Sequence, residues 1–117
     1  MRRKPGSLVP LEVSILEAGM VLLSRSEAEF HGYQLAKEMK AIQGAMFRTA
    51  YGTLYRTLER MELARLLESR WEDPLIAEAE GRPRRRFYKI TGEGQVAIRD
   101  AIRPSAGPTL DPGRQPA

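Results

Sequence analysis

The stretch TAYGTLYRTLERME, residues 49 to 62, decides the fold, because it carries two kinds of side chain at helical spacing. Leu54, Leu58 and Met61 recur at i, i+4 and i+7, the pattern of a helix laid on a core. At about 100° per residue, with Leu54 at zero, Leu58 and Met61 fall within about 40° of it, while Gly52, Arg56, Thr49, Arg60 and Thr53 fall between roughly 160° and 260°. The second face is therefore free to meet something other than the core. Its chemistry suits a nucleic-acid groove. Arg56 can donate two hydrogen bonds to a guanine edge, threonines reach bases or phosphates, and Gly52 removes a side chain where backbone must come close. Tyr51 and Tyr55 lie on the flank, where a phenol packs its ring and offers its hydroxyl to a phosphate. Thr49 is the expected N-cap of this helix.

Two helices precede it. Pro10 suits a first turn, and Leu11, Ile15, Ala18 and Leu22 follow at helical spacing, widened by Val13, Leu16, Met20 and Leu23. So broad an apolar stripe has to be covered on more than one side. After SRSEAEFHG, Leu35, Met39 and Ile42 mark a second helix from about Gly32 to Gln43, stopped by Gly44. Beyond the long helix the period becomes two. In LLESRW, Leu67, Ser69 and Trp71 point one way and Leu66, Glu68 and Arg70 the other, which predicts a strand. EDPLIAEAEGRP, with Pro74, Gly81 and Pro83, reads as a long loop, and RRRFYKI as the antiparallel partner strand. Thr91 can cap a last helix from Glu93 to Arg103, with Ile98, Ala101 and Ile102 on one face and Pro104 ending it. The Pro- and Gly-rich residues 104–117 read as a disordered tail.

Composition limits the alternatives. A chain of 117 residues, 42% hydrophobic, suffices for one small core and one domain. No cysteine and a single histidine remove disulfides, thiolate metal sites and histidine-based catalysis, so no catalytic residue, metal or cofactor is expected, and no enzyme. The net charge is +4, and Arg82, Arg84, Arg85, Arg86 and Lys89 cluster in RPRRRFYK, which suggests an anionic partner. The basic start resembles a signal sequence only superficially. Glu12 and Glu17 interrupt the apolar run, so it reads as an arm over residues 1–10 in a cytoplasmic protein with no membrane partner.

Helix, helix, helix, hairpin, helix is the order of a winged helix-turn-helix, an α+β and mainly α fold with a two-stranded wing and a short C-terminal helix. The expected division is a DNA-binding domain over residues 11–92 and a dimerisation helix over 93–103. Thr49, Tyr51, Gly52, Thr53, Tyr55, Arg56 and Arg60 are the expected DNA contacts of the recognition helix, and Arg82, Arg84, Arg85 and Arg86 those of the wing. Tyr33 has two equal readings, phosphate contact or packing ring. Leu11, Ile15, Leu22, Ile98 and Ile102 are the expected dimer face.

HGYQLAKEM, GTLYRTLERME and GRPRRRFYKITGEG, in this order, resemble the PadR family of bacterial winged-helix transcriptional regulators over roughly residues 11 to 103. The resemblance implies a homodimer on double-stranded DNA carrying an inverted-repeat operator, acting as a repressor and released by a small hydrophobic effector. His31, Gly32 and Tyr33 match the family's His-Gly-Tyr, and Gly52 to Tyr55 its Gly-Thr-Leu-Tyr. Three departures stand out. Arg56 occupies the place of a proline, and Arg65 that of a glycine closing the helix, so either Arg65 takes a positive φ or the chain leaves by another route. Pro104 limits the last helix to about 11 residues, roughly 16 Å.

Each reading has a plainer rival. An exposed polar helix face is often only solvated, and so is a basic strand. Glu78 and Glu80 would be repelled by phosphates at a wing tip and belong on its outer bend. His31 reads as a helix-start hydrogen-bonding residue before a ligand or base, and Trp71 as packing before a stacking platform. The rival for the whole chain is a winged-helix protein-association module whose arginines pair with an acidic protein.

Overall fold

The computed structural model describes residues 8–44 and 46–102. Most of the expected arm, Arg103 and the expected tail lie outside them. The elements are α1 (Pro10–Ser24), α2 (Gly32–Gln43), α3 (Tyr51–Leu63), β1 (Leu67–Trp71), α4 (Pro74–Ala79), β2 (Arg86–Ile90) and α5 (Gly92–Ile102). β1 and β2 pair antiparallel with Leu67 opposite Ile90 and Trp71 opposite Arg86, and Phe30 adds an isolated bridge to Tyr88. The architecture is the winged helix expected from the sequence.

Local chemistry sets the ends. Pro10 opens α1, where the Glu12 carboxylate accepts from the Val9 amide. His31 caps α2 reciprocally with Gln34. Its Nδ1 accepts from the Gln34 amide while the Gln34 Oε1 accepts from the His31 amide, both at 3.4 Å. Gly44 closes α2 at φ 101°, a conformation that favours glycine. Thr91 Oγ1 accepts from the Gly94 amide to start α5 and donates to the Arg65 carbonyl. Arg65 itself sits at φ 66°, so the helix exit keeps the turn that glycine usually makes and Arg65 takes the strained conformation.

Two expectations about local structure fail. Residues 72–83 are not a featureless loop: Asp73 caps and Pro74 opens the six-residue α4, whose Ala77 is buried. The proline that argued for a loop is a helix N1 residue. The N-cap of α3 is Ala50, one residue later than Thr49, and no side chain caps this helix.

The core gathers α1, α2, α3, the sheet and α5 around Ile15, Leu16, Leu22, Leu35, Leu54, Leu58 and Ile98. This corrects the dimer face. Ile15, Leu22 and Ile98 are buried inside the subunit, because α1 is covered by α2 and α5 and also touches α3 and β2. Most of the broad stripe of α1 is thus covered by its own chain, with Leu11, Val13, Met20 and Leu23 left partly buried. Leu11 is half-buried against the core, and Ile102 is exposed near Ile42. A largely apolar groove of about 480 Å³ runs there between α1, α2 and α5, lined by Met20, Val21, Ile42 and Ile102 together with Glu17, Gln95 and Arg99.

Candidate nucleic-acid interface

α3 turns Leu54, Thr57, Leu58 and Met61 inward and leaves Tyr51, Gly52, Thr53, Tyr55, Arg56 and Arg60 exposed. The Thr57 hydroxyl is satisfied within the helix, donating to the Thr53 carbonyl at 2.8 Å. The Arg56 side chain makes one long contact, Nη2 to Thr53 Oγ1 at 3.4 Å, and the Arg60 side chain makes no hydrogen bond or ion pair among the described residues. Their guanidinium groups are available. A Cβ built on Gly52 would meet only Arg56 Nη1, at 3.6 Å. Packing therefore does not require glycine there, and the surface above it is open. The first-turn amides of α3 have no side-chain cap and point along the axis from its N-terminal end.

The tyrosines divide. Tyr51 and Tyr55 stack with centroids 6.4 Å apart. Tyr55 also abuts the start of α2, since a Cβ on Gly32 would lie 2.1 Å from its hydroxyl oxygen. Burial, then the neighbouring Tyr51, pushes the Tyr55 phenol above its ordinary range, keeping it a neutral donor. Tyr55 is thus a spacer between the two helices as well as a surface residue. Tyr33 is exposed, with Lys37 Nζ 5.9 Å from its ring.

The wing arginines have four different surroundings. Arg82 is enclosed: its Nη atoms donate to both Glu72 oxygens at 2.7 and 2.8 Å and its Nε to Glu80 at 2.9 Å. Arg84 donates Nε to the Glu72 carbonyl, and Arg84 and Arg86 lie 5.6 and 5.0 Å from the Trp71 ring. Arg86 is further tied to Ser69 and, at 3.5 Å, to Glu62 near the end of α3. Arg85 is exposed on the opposite side of β2, lining a groove with Tyr33, Gln34 and Lys37 at the start of α2. Hence Arg84 and Arg85 keep free guanidinium nitrogens, while Arg82, partly buried, is committed to Glu72 and Glu80. Trp71 serves the cations beside it rather than the core, being 52% exposed. Glu78 is exposed on α4, and Glu80 is spent on Arg82.

Three residues escaped the reading from sequence. Arg48 and Lys40 line a groove of about 470 Å³ with Phe47 and half-buried Thr49 between α2 and α3. Arg48 stands two residues before Ala50, the N-cap, and that proximity was its available signal. Glu72 had none, since its partner lies across α4. The Arg82 hydrogen bonds hold the Glu72 carboxyl down at about 2. Burial, with Arg85 and Arg82 nearby, lowers His31, which keeps its Nδ1 an acceptor for the α2 cap.

Among the described residues no group of three His, Asp or Glu side chains could hold a metal, and no helix is long and apolar enough to cross a membrane. Three helices packed beside a two-stranded basic wing, with free arginines on the exposed face of α3, define the class, a winged-helix protein. The sequence profile of the transcriptional regulator PadR-like family matches residues 20–100, and the chain belongs to that family. The fold is also similar to the crystal structure of a PadR-like transcriptional regulator from Bacillus cereus strain ATCC 14579. The TM-score is 0.52, at 24% identity over 79% of this chain and 82% of that one. No curated protein sequence matches the chain.

Proposed function

We propose that the chain is a cytoplasmic homodimeric repressor that reads an inverted-repeat operator in double-stranded DNA. Placing α3 in the major groove gives Arg56 and Arg60 access to base edges, while Arg84, Arg85, Arg48 and Lys40 lie where phosphates flank the groove. The observation that carries this reading is Gly52, a helical glycine on the exposed face that no internal contact explains. Thr49, Tyr51, Thr53 and Tyr55 frame it, and Tyr33 joins Lys37 and Arg85 as a second phosphate patch at the start of α2. DNA-binding residues 11–92 and a dimerising helix near 93–103 remain the division we adopt. The dimer is supported by the apolar groove beside Ile102, which a second subunit or a small hydrophobic effector between subunits would cover.

Binding to duplexes at several salt concentrations tests the reading. A dimer neutralising several phosphates has a log K against log[salt] slope of about −4 to −8, with one preferred site beside its own gene. A flat slope with no preferred site would instead place the chain among winged-helix association modules.

A further inference from the structure

Glu72, the residue after β1, is 5% exposed and contacts three wing arginines. Its carboxylate takes both Nη atoms of Arg82, and its Oε1 also accepts from the Arg85 amide at 3.2 Å. Its own amide donates to the Arg85 carbonyl at 2.8 Å, and its carbonyl accepts Arg84 Nε at 2.9 Å. On the other side, Arg82 is saturated by Glu72, Glu80 and the Pro83 carbonyl. The pair closes the ten-residue span that contains α4. An enclosed carboxylate or guanidinium without its partner is costly, so each group holds the other in place.

From this geometry we propose that Glu72 is the positioning residue of the wing: with Arg82 it forms an internal strut that fixes the path of residues 82–86 and aims Arg84 and Arg85 at the DNA backbone. The proposal rests on the DNA-binding reading above. It also makes Arg82, the most tightly held cation of the cluster, a structural group and not a phosphate contact.

The sign of one comparison separates positioning from bulk charge. Glu72→Gln and Glu80→Gln each remove one negative charge from the same region, and simple electrostatics raises DNA affinity in both. The strut makes them differ. In Glu72→Gln an amide NH₂ faces an Arg82 donor, the bidentate pair is lost, and affinity for a random-sequence duplex falls. The salt slope flattens by about 1 for each phosphate contact no longer aimed. Glu80→Gln, whose carboxylate is mostly exposed, binds at least as tightly as the parent. Equal or tighter binding by Glu72→Gln overturns the proposal. The unaltered protein supplies a second reading that needs no variant: by NMR, the Arg82 guanidinium resonances stay in place as duplex is added while those of Arg84 and Arg85 move. Movement of Arg82 overturns it as well. Without DNA, amide exchange of residues 84–86 is faster in Glu72→Gln than in Glu80→Gln. Equal exchange refutes the strut whether or not the protein binds DNA, whereas a parent protein lacking salt-dependent binding refutes only the functional reading.

Discussion

Gly52→Ala separates what the fold needs from what the partner needs. Gly52 is the second residue of α3, and the new methyl group would meet Arg56 Nη1 at 3.6 Å and nothing else within 4 Å. Folding therefore loses no contact, while the chain gains the difference between glycine and alanine in a helix, up to about 1 kcal/mol in an interior and about 0.5 kcal/mol in a first turn. For a domain of this size that raises the melting temperature by roughly 2 to 4 °C. On DNA the methyl group holds the backbone off the groove. A lost amide–phosphate hydrogen bond costs about 1.5 to 3 kcal/mol, which is about tenfold or more in affinity. The assay is thermal unfolding beside fluorescence anisotropy on the same preparation. A more stable protein that binds DNA at least about tenfold more weakly is the expected pair of results. Unchanged affinity would show that Gly52 does not meet DNA, and a lower melting temperature would show that the surface around it is not open.

The other expectations concern separate parts of the molecule. Arg56→Ala weakens specific binding by about 1 to 3 kcal/mol and relaxes preference at one base position per half-site; equal loss on random duplexes, read by competition binding, would make it a phosphate contact. Ile102→Asp places a charge on the α1–α5 groove and shifts sedimentation toward the monomer, whereas an unaltered dimer mass excludes that groove as the interface. Gly94→Ala drives a Cβ to 2.3 Å from the Leu66 carbonyl oxygen, a backbone atom that cannot step aside, and lowers the melting temperature; no change would mean that α5 slides along β1. The Glu72 pKa is depressed from 4.5 to about 2, so its contribution to stability is complete above its unfolded value and is lost as pH falls from about 4.5 through 2. Wing amide exchange followed down that range should quicken, and the Glu72→Gln protein should lack this component.

The core and the outer face of α3 were legible because periodicity alone separates them. Leu54, Leu58 and Met61 are buried where the helical spacing puts them, and Gly52, Thr53, Arg56 and Arg60 are exposed. The strand pair followed from the change of period at Leu66, and the α5 start from Thr91. α4 was not legible, since six residues are too few to display a period and its proline and the following glycine also mark loops. Nor could spacing show that Ile15, Leu22 and Ile98 would be covered within one subunit.

The order of the longer elements and the exposed polar face of α3 belong to local pattern, which repeats every few residues and needs no partner to be read. Which arginines are free belongs to tertiary structure alone. Arg82, Arg84, Arg85 and Arg86 are nearly contiguous and chemically the same, yet Glu72 encloses the first and steers the second, while Glu62 and Ser69 hold the last. A guanidinium's availability depends on which carboxylate reaches it in space, and these carboxylates come from ten and twenty-four residues away. Chain closure through α4 and across the sheet brings them there, and only after that closure does a run of like charges divide into bonded and free guanidinium groups.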